Sequence, residues 1–93
     1  MKVKSGFLLR EIGGTYVLVP LGERVVDFNG LATLNDTGQV LWTRLTEGCR
    51  EADLVEALTS EFDVTEEEAA QDVRAFVRDL QEKRLLEDDG SPL

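Results

Sequence analysis

The spacing of apolar residues divides the chain into an extended first third and a helical remainder. Up to residue 34 the apolar runs are short, rich in β-branched and aromatic residues, and bounded by glycine or proline, as in FLLREIGGTYVLVP. This composition is typical of strands. We predict strands near residues 6–12, 15–20 and 31–34, with residues 25–28 as a candidate fourth.

Two dipeptides mark the places where the predicted strands turn back on each other, Gly13-Gly14 and Asn29-Gly30. A two-residue hairpin turn of type I′ needs positive φ at both central positions, which Gly and Asn adopt at little cost. We therefore expect an antiparallel hairpin at each dipeptide.

The pattern does not settle which residues of the last predicted strand face inward. Alternate side chains of a strand point to opposite faces, so either Leu31 and Thr33 or Ala32 and Leu34 face the interior. A slip of one residue would exchange the two sets, and both alternatives stay open.

After Leu34 the apolar period changes from two residues to about 3.6, which indicates helices. Asn35 or Asp36 is placed to accept hydrogen bonds from the first free N–H groups of a helix. This helix is expected to end near Glu47, because the glycine at position 48 is a common helix terminator. Val40, Leu41, Arg44 and Leu45 cluster on one face by helical spacing, and Trp42 is predicted to be part of the core.

Two more helices are predicted in the second half of the chain. The second covers about residues 51–62, and the third runs from Thr65 to about Arg84. Thr65 and Glu68 have capping-box spacing, in which each side chain accepts a hydrogen bond from the other residue's backbone N–H. Apolar residues recur at steps of three and four: Leu54, Val55, Leu58 and Phe62 on the second helix, and Ala69, Val73, Phe76, Val77 and Leu80 on the third.

Together these elements predict an α+β fold. A small antiparallel sheet of three strands, or four with the candidate strand, is followed by three helices in a winged-helix-like arrangement. The 93 residues suit one domain, which we assign to residues 1–87, with Leu85 and Leu86 packing back on its body. Residues 88–93 are expected to form a disordered polar tail.

The charge of the chain restricts its partners. Nineteen acidic and ten basic residues give a formal net charge of −9, which repels phosphate backbones and anionic membrane surfaces. We therefore expect neither nucleic acid nor a membrane as a partner. Arg10 and Glu11 interrupt the N-terminal apolar run, which predicts neither a signal peptide nor a membrane span. A cytoplasmic location is expected.

Residues suited to catalysis are scarce. The chain has no histidine, the usual physiological proton carrier and the commonest metal ligand, and its single cysteine, Cys49, has no partner for a disulfide or a metal site. The glycines form no phosphate-binding motif, and the clustered carboxylates lie at predicted helix ends or in the tail. We expect no catalytic residue, no metal and no cofactor.

From residue 6 to residue 86 the sequence resembles the PqqD-like family of small peptide-binding proteins, also called RiPP recognition elements. The resemblance rests on the hairpin FLLREIGGTYVLVP, the segment VVDFNG, the junction LNDTGQVLW, and two helices that end in Leu85 and Leu86. The junction is the most specific of these features. The resemblance implies a winged-helix-like protein without enzymatic activity. Such proteins hold the leader of a ribosomally made precursor peptide for a modifying enzyme, often a radical S-adenosylmethionine protein.

The resemblance also implies where the leader binds. It adds as a further strand beside the last strand, in the groove between that strand and the third helix. Asp72 and Asp79 would then favour a leader that carries Lys or Arg, whereas the apolar residues of the third helix suit either the groove or the core. The implied peptide-binding residues are Leu31, Ala32, Thr33, Leu34, Asp72, Val73, Phe76, Asp79, Leu80 and Lys83.

Alternatives from other classes stay open. An acidic winged-helix regulator or antitoxin-type protein would act through a protein partner or DNA. A carrier protein would need a serine at a helix start for its prosthetic arm, where this chain has Thr37. An edge strand can also pair with a second copy of itself, so a homodimer is a further alternative.

Overall fold

The structure of the protein, a computed structural model, describes residues 1–22 and 32–87. Its elements are β1 (Phe7–Ile12), β2 (Thr15–Pro20), β3 (Ala32–Leu34), α1 (Asp36–Glu47), α2 (Glu51–Glu61) and α3 (Glu66–Glu82). The three strands form one antiparallel sheet in the order β1, β2, β3, which confirms the predicted α+β fold. The candidate strand at 25–28, the Asn29-Gly30 turn, Leu31 and the tail at 88–93 lie outside the described residues.

The hairpin between β1 and β2 has the two-residue turn that the sequence predicts. Gly13 and Gly14 have φ of 58° and 83°, the positive values that a type I′ turn requires. The paired residues Ile12 and Thr15 flank this turn. Beyond the strands the pairing continues, because the N–H of Leu21 donates to the carbonyl of Gly6 at 2.8 Å.

One hydrophobic core lies between the inner face of the sheet and the helices. Trp42 is only 2% exposed, as its predicted core position requires. The ring of Phe7 lies edge-on to it with centroids 6.0 Å apart, a preferred geometry for aromatic pairs. The buried members of the core are Val3, Leu18, Leu41, Trp42, Leu45, Leu54, Leu58, Ala69, Val73, Leu80 and Leu85.

The starts of α1 and α3 use the capping side chains that the sequence predicts. Asn35 caps α1, with its Oδ1 accepting from the N–H of Gly38 at 2.7 Å. At α3 the capping box is confirmed: Thr65 Oγ1 accepts from the N–H of Glu68 at 3.1 Å, and Glu68 Oε1 accepts from the N–H of Thr65 at 3.0 Å. The hydrogen bond from the Thr65 backbone N–H, together with one from the Thr65 side chain, stabilises the charged carboxylate and lowers the pKa of Glu68.

Residues 1–4 join the helical part of the core to the segment after α3. The N–H of Val3 donates to the carbonyl oxygen of Leu45 at 3.0 Å, and the N–H of Lys4 donates to the carbonyl oxygen of Leu85 at 2.8 Å. Val3 also forms an antiparallel bridge with Leu86. Leu85 is buried, so the prediction that this pair of leucines packs back on the body is confirmed.

The last helix ends earlier than the predicted Arg84, because Arg84 leaves the helical conformation with φ 59°. The N–H of Leu85 donates to the carbonyl oxygen of Leu80 at 2.9 Å, and the N–H of Arg84 donates to the carbonyl oxygen of Gln81 at 3.1 Å. These two bonds form a Schellman motif, with the buried Leu80 and Leu85 as its apolar contact. Arg84 occupies the position where Gly is usual, and a side chain at positive φ costs about 1–2 kcal/mol.

Replacing Arg84 by Gly should raise the free energy of unfolding by about 0.5–1 kcal/mol, because Gly adopts positive φ without a steric clash. The matched control is Gln81→Gly, which puts the same residue inside the last helical turn and should lower that free energy by about 1 kcal/mol. Urea titrations followed by Trp42 fluorescence measure both. A loss in Arg84→Gly as large as in Gln81→Gly would contradict strain at Arg84.

Candidate functional site

The last strand, β3, lies at an edge of the sheet. Its residues pair with β2 as Leu18 with Ala32, Val17 with Thr33 and Tyr16 with Leu34. Within residues 1–22 and 32–87 no further strand pairs with β3. An edge of this kind presents backbone N–H and C=O groups that can pair with another chain.

The hairpin register determines which backbone groups of β3 face outward. A two-residue turn places Ile12 and Thr15 in a hydrogen-bonded pair, and such pairs alternate with non-hydrogen-bonded ones along the ladder. Pro20, which has no N–H, falls in a non-hydrogen-bonded pair, as expected. The N–H and C=O of Val17 therefore point toward β1. Because Val17 also pairs with Thr33, the N–H and C=O of Thr33 point away from β2.

The same pairing shows which side chain of β3 packs inward. Leu34 is half-buried and packs against the core, whereas the side chain of Thr33 is exposed. Of the two alternatives left by the sequence, the one with Leu34 inside is therefore correct. Thr33 thus presents both its backbone groups and its side chain outside the core.

The junction between β3, α1 and α3 is formed by Leu34, Gly38 and Phe76. A β-carbon on Gly38 would lie 3.3 Å from Phe76 Cε1 and 3.5 Å from Leu34 Cβ, so glycine permits this close approach. This role of Gly38 was not predicted from the sequence. A glycine in the first turn of a helix, where it is disfavoured relative to Ala, was the available indication.

The predicted apolar residues of α3 divide between the core and its margin beside β3. Val73 and Leu80 are 0% and 2% exposed, so they hold the helix on the core and offer no surface. Phe76 is half-buried and packs against the core margin. Together Phe76 and Leu34 form an apolar floor at the end of β3.

Charged residues line α3 beside this floor. Successive residues of a helix are about 100° apart, which puts Asp72 and Asp79 about 40° and 60° from Phe76, on the side away from Val77. Asp79 accepts a hydrogen bond from Lys83 Nζ at 3.0 Å. Asp72 is exposed and forms no ion pair within the described part of the chain.

Within the described residues, groups that could perform chemistry are not assembled beside Leu34 and Phe76. Burial raises the pKa of the Cys49 thiol, which lowers its thiolate fraction. Cys49 lies instead in a cleft with Arg44, Glu47 and Asp53. No three His, Cys, Asp or Glu side chains of residues 1–22 and 32–87 converge to hold a metal. None of the described helices has both the length and the apolar character to cross a membrane.

Comparisons with known proteins place the chain among peptide-binding relatives. The family model described as coenzyme PQQ synthesis protein D (PqqD) matches residues 9–86. A solved structure described as TbiB1 in complex with the TbiA(beta) leader peptide is 30% identical, with a TM-score of 0.73, covering 95% of this chain and 96% of that chain. A second solved structure, described as lasso peptide synthetase B1 complexed with the leader peptide, is 27% identical, with a TM-score of 0.69. It covers 90% of this chain and 93% of that chain. No curated protein matches the sequence.

Proline substitutions should distinguish the two sides of β3. Thr33→Pro removes an outward N–H and should leave the protein folded, whereas Ala32→Pro removes an N–H that bonds to Leu18 and should lower the free energy of unfolding by about 1–3 kcal/mol more. Urea titration with Trp42 fluorescence measures the difference. An equal loss in the two variants, or a larger one in Thr33→Pro, would show that the N–H of Thr33 faces β2.

Proposed function

Since the chain belongs to the PqqD family, we propose that it is a peptide-binding adaptor for the leader of a ribosomally made precursor peptide. It holds the leader and presents the attached precursor to a modifying enzyme. The observation that carries this function is the outward backbone of Thr33 beside an apolar floor. Further support comes from the two similar structures, both of which are complexes with leader peptides.

The leader binds by adding a strand to β3. Its backbone pairs with the N–H and C=O of Thr33, and because every residue has these groups, this part of the affinity tolerates many sequences. Alternate side chains of the added strand point toward α3. There Phe76 of α3, together with Leu34 of β3, selects apolar groups. Ala32 extends the proposed strand template, and Val73 and Leu80 support Phe76 from the core.

The adaptor performs no chemistry on the peptide. The absence of histidine from the sequence removes the usual acid or base, and the raised pKa of the Cys49 thiol lowers the fraction of the nucleophilic thiolate, so both support this role. The reaction belongs to the partner enzyme, which we propose to be a radical S-adenosylmethionine protein. The complex forms in the cytoplasm, where ribosomally made precursors are first available.

Strand addition predicts that binding depends on the N–H of Thr33. In calorimetric titrations with the leader of the precursor encoded beside this chain's gene, Thr33→Pro should raise Kd by about tenfold, because the hydrogen bond that this N–H donates to the leader is lost. Thr33→Val keeps the N–H and is the matched control, with Kd expected to stay close to that of the unsubstituted protein. No binding of this leader to the folded, unsubstituted protein would contradict the proposed function.

The groove predicts different effects for two neighbouring apolar residues of α3. Phe76→Ala and Val77→Ala each truncate a half-buried side chain and should both lower the free energy of unfolding by about 1–2 kcal/mol. Only Phe76→Ala should also weaken leader binding, by about tenfold, since only Phe76 adjoins Leu34 and Gly38. Titration at a temperature where both variants are folded makes the comparison. Equal Kd values for the two would remove Phe76 from the site.

A further inference from the structure

The step along an added strand matches the step between two positions on α3. Side chains on one face of a strand recur every two residues, about 6.6–6.8 Å apart. A helix rises about 1.5 Å per residue, so Asp72 lies about 6 Å along α3 from Phe76. A peptide residue that reaches Phe76 therefore has its second neighbour opposite the level of Asp72 when the strand runs along the helix.

The acidic groups on this side of α3 are not equivalent. Asp79 already has Lys83 at 3.0 Å, and Glu68 accepts the capping hydrogen bond from Thr65 at 3.0 Å. Asp72 has neither kind of partner among the described residues. Of these three carboxylates of α3, Asp72 is therefore the one available to pair with a cation of the ligand.

We propose that the leader recognised by this protein carries an apolar residue and, two positions from it, a Lys or Arg. The apolar side chain rests on Leu34 and Phe76, and the cation lies beside Asp72. This inference depends on the proposed function, because it assumes that a peptide strand occupies the groove. It adds a chemical class of ligand, and it assigns the preference for a cation to Asp72 rather than to Asp79.

The expected contribution of the cation is modest. Asp72 is exposed, and ion pairs between exposed groups change an equilibrium by about two- to fivefold. The effect should fall as salt is added, because ions screen charges that solvent can reach. The apolar contact, in contrast, should not weaken with salt. Salt dependence therefore separates the cation preference from a change in packing.

A random peptide library tests the pattern without knowledge of the natural leader. Displayed peptides of random sequence are selected on the immobilised protein, on Asp72→Lys, and on Glu67→Lys. Glu67 is exposed and lies about 180° around the helix from Phe76, so its substitution makes the same change in charge on the opposite side of α3. Each variant is first checked for folding by Trp42 fluorescence.

The unsubstituted protein and Glu67→Lys should both enrich peptides with an apolar residue and a Lys or Arg two positions away. Asp72→Lys should instead enrich Asp or Glu at that position. In titrations of one enriched peptide, replacing its cation by Gln should weaken binding about two- to fivefold. That loss should disappear in Asp72→Asn and shrink at 0.5 M NaCl.

The outcomes separate this inference from the proposed function. Enriched peptides with an apolar residue but no preference for charge, or the same preference in Asp72→Lys as in the unsubstituted protein, would overturn the inference and leave the adaptor function intact. Enrichment of no peptide at all, or of peptides that bind Thr33→Pro as tightly as the unsubstituted protein, would overturn strand addition itself.

Discussion

The approach of Phe76 on α3 and Leu34 on β3 to the start of α1 depends on the close contact at Gly38. Any larger residue there would meet Phe76 at 3.3 Å, Leu34 at 3.5 Å and the capping oxygen of Asn35 at 3.0 Å. Gly38 therefore sets how closely Phe76 of α3 and Leu34 of β3 can approach α1. Gly costs a helix about 1 kcal/mol relative to Ala, and the Asn35 cap, typically worth about 1 kcal/mol, offsets this. The junction LNDTGQVLW thus combines a close packing contact with the local bond that stabilises it.

An open edge strand exposes a protein to unwanted pairing with its own copies. Here β3 is only three residues long, which limits the number of hydrogen bonds that a second copy could form. The net charge of −9 also makes two copies repel each other. The same charge attracts a cationic segment, so one property disfavours a homodimer through this edge and favours a ligand of opposite charge.

Local features of the fold were predictable from the sequence, whereas its spatial relations were not. Gly13-Gly14 and the Thr65–Glu68 box act through neighbouring backbone atoms, so their residue types alone indicated the hairpin and the helix start. The inward side of β3 depends on its register with β2, which a short strand does not encode by itself. Arg84 departs from the helix because burial of Leu85 outweighs the strain at its own backbone, a tertiary effect. The spacing of residues identified Val73, Phe76 and Leu80 as one apolar stripe of α3. Only the packing shows that Phe76 lies at the margin of the core while Val73 and Leu80 lie inside it.

The bridge between Val3 and Leu86 joins residues from opposite ends of the described chain, and this bears on how the protein folds during synthesis. The β1–β2 hairpin is local and can form as soon as it leaves the ribosome, but Val3 must wait for Leu85 and Leu86. Contacts between residues distant in sequence form slowly because a long loop must close first. We expect α3 to settle late, so during synthesis the edge of the sheet at β3 is present before Phe76 packs beside Leu34.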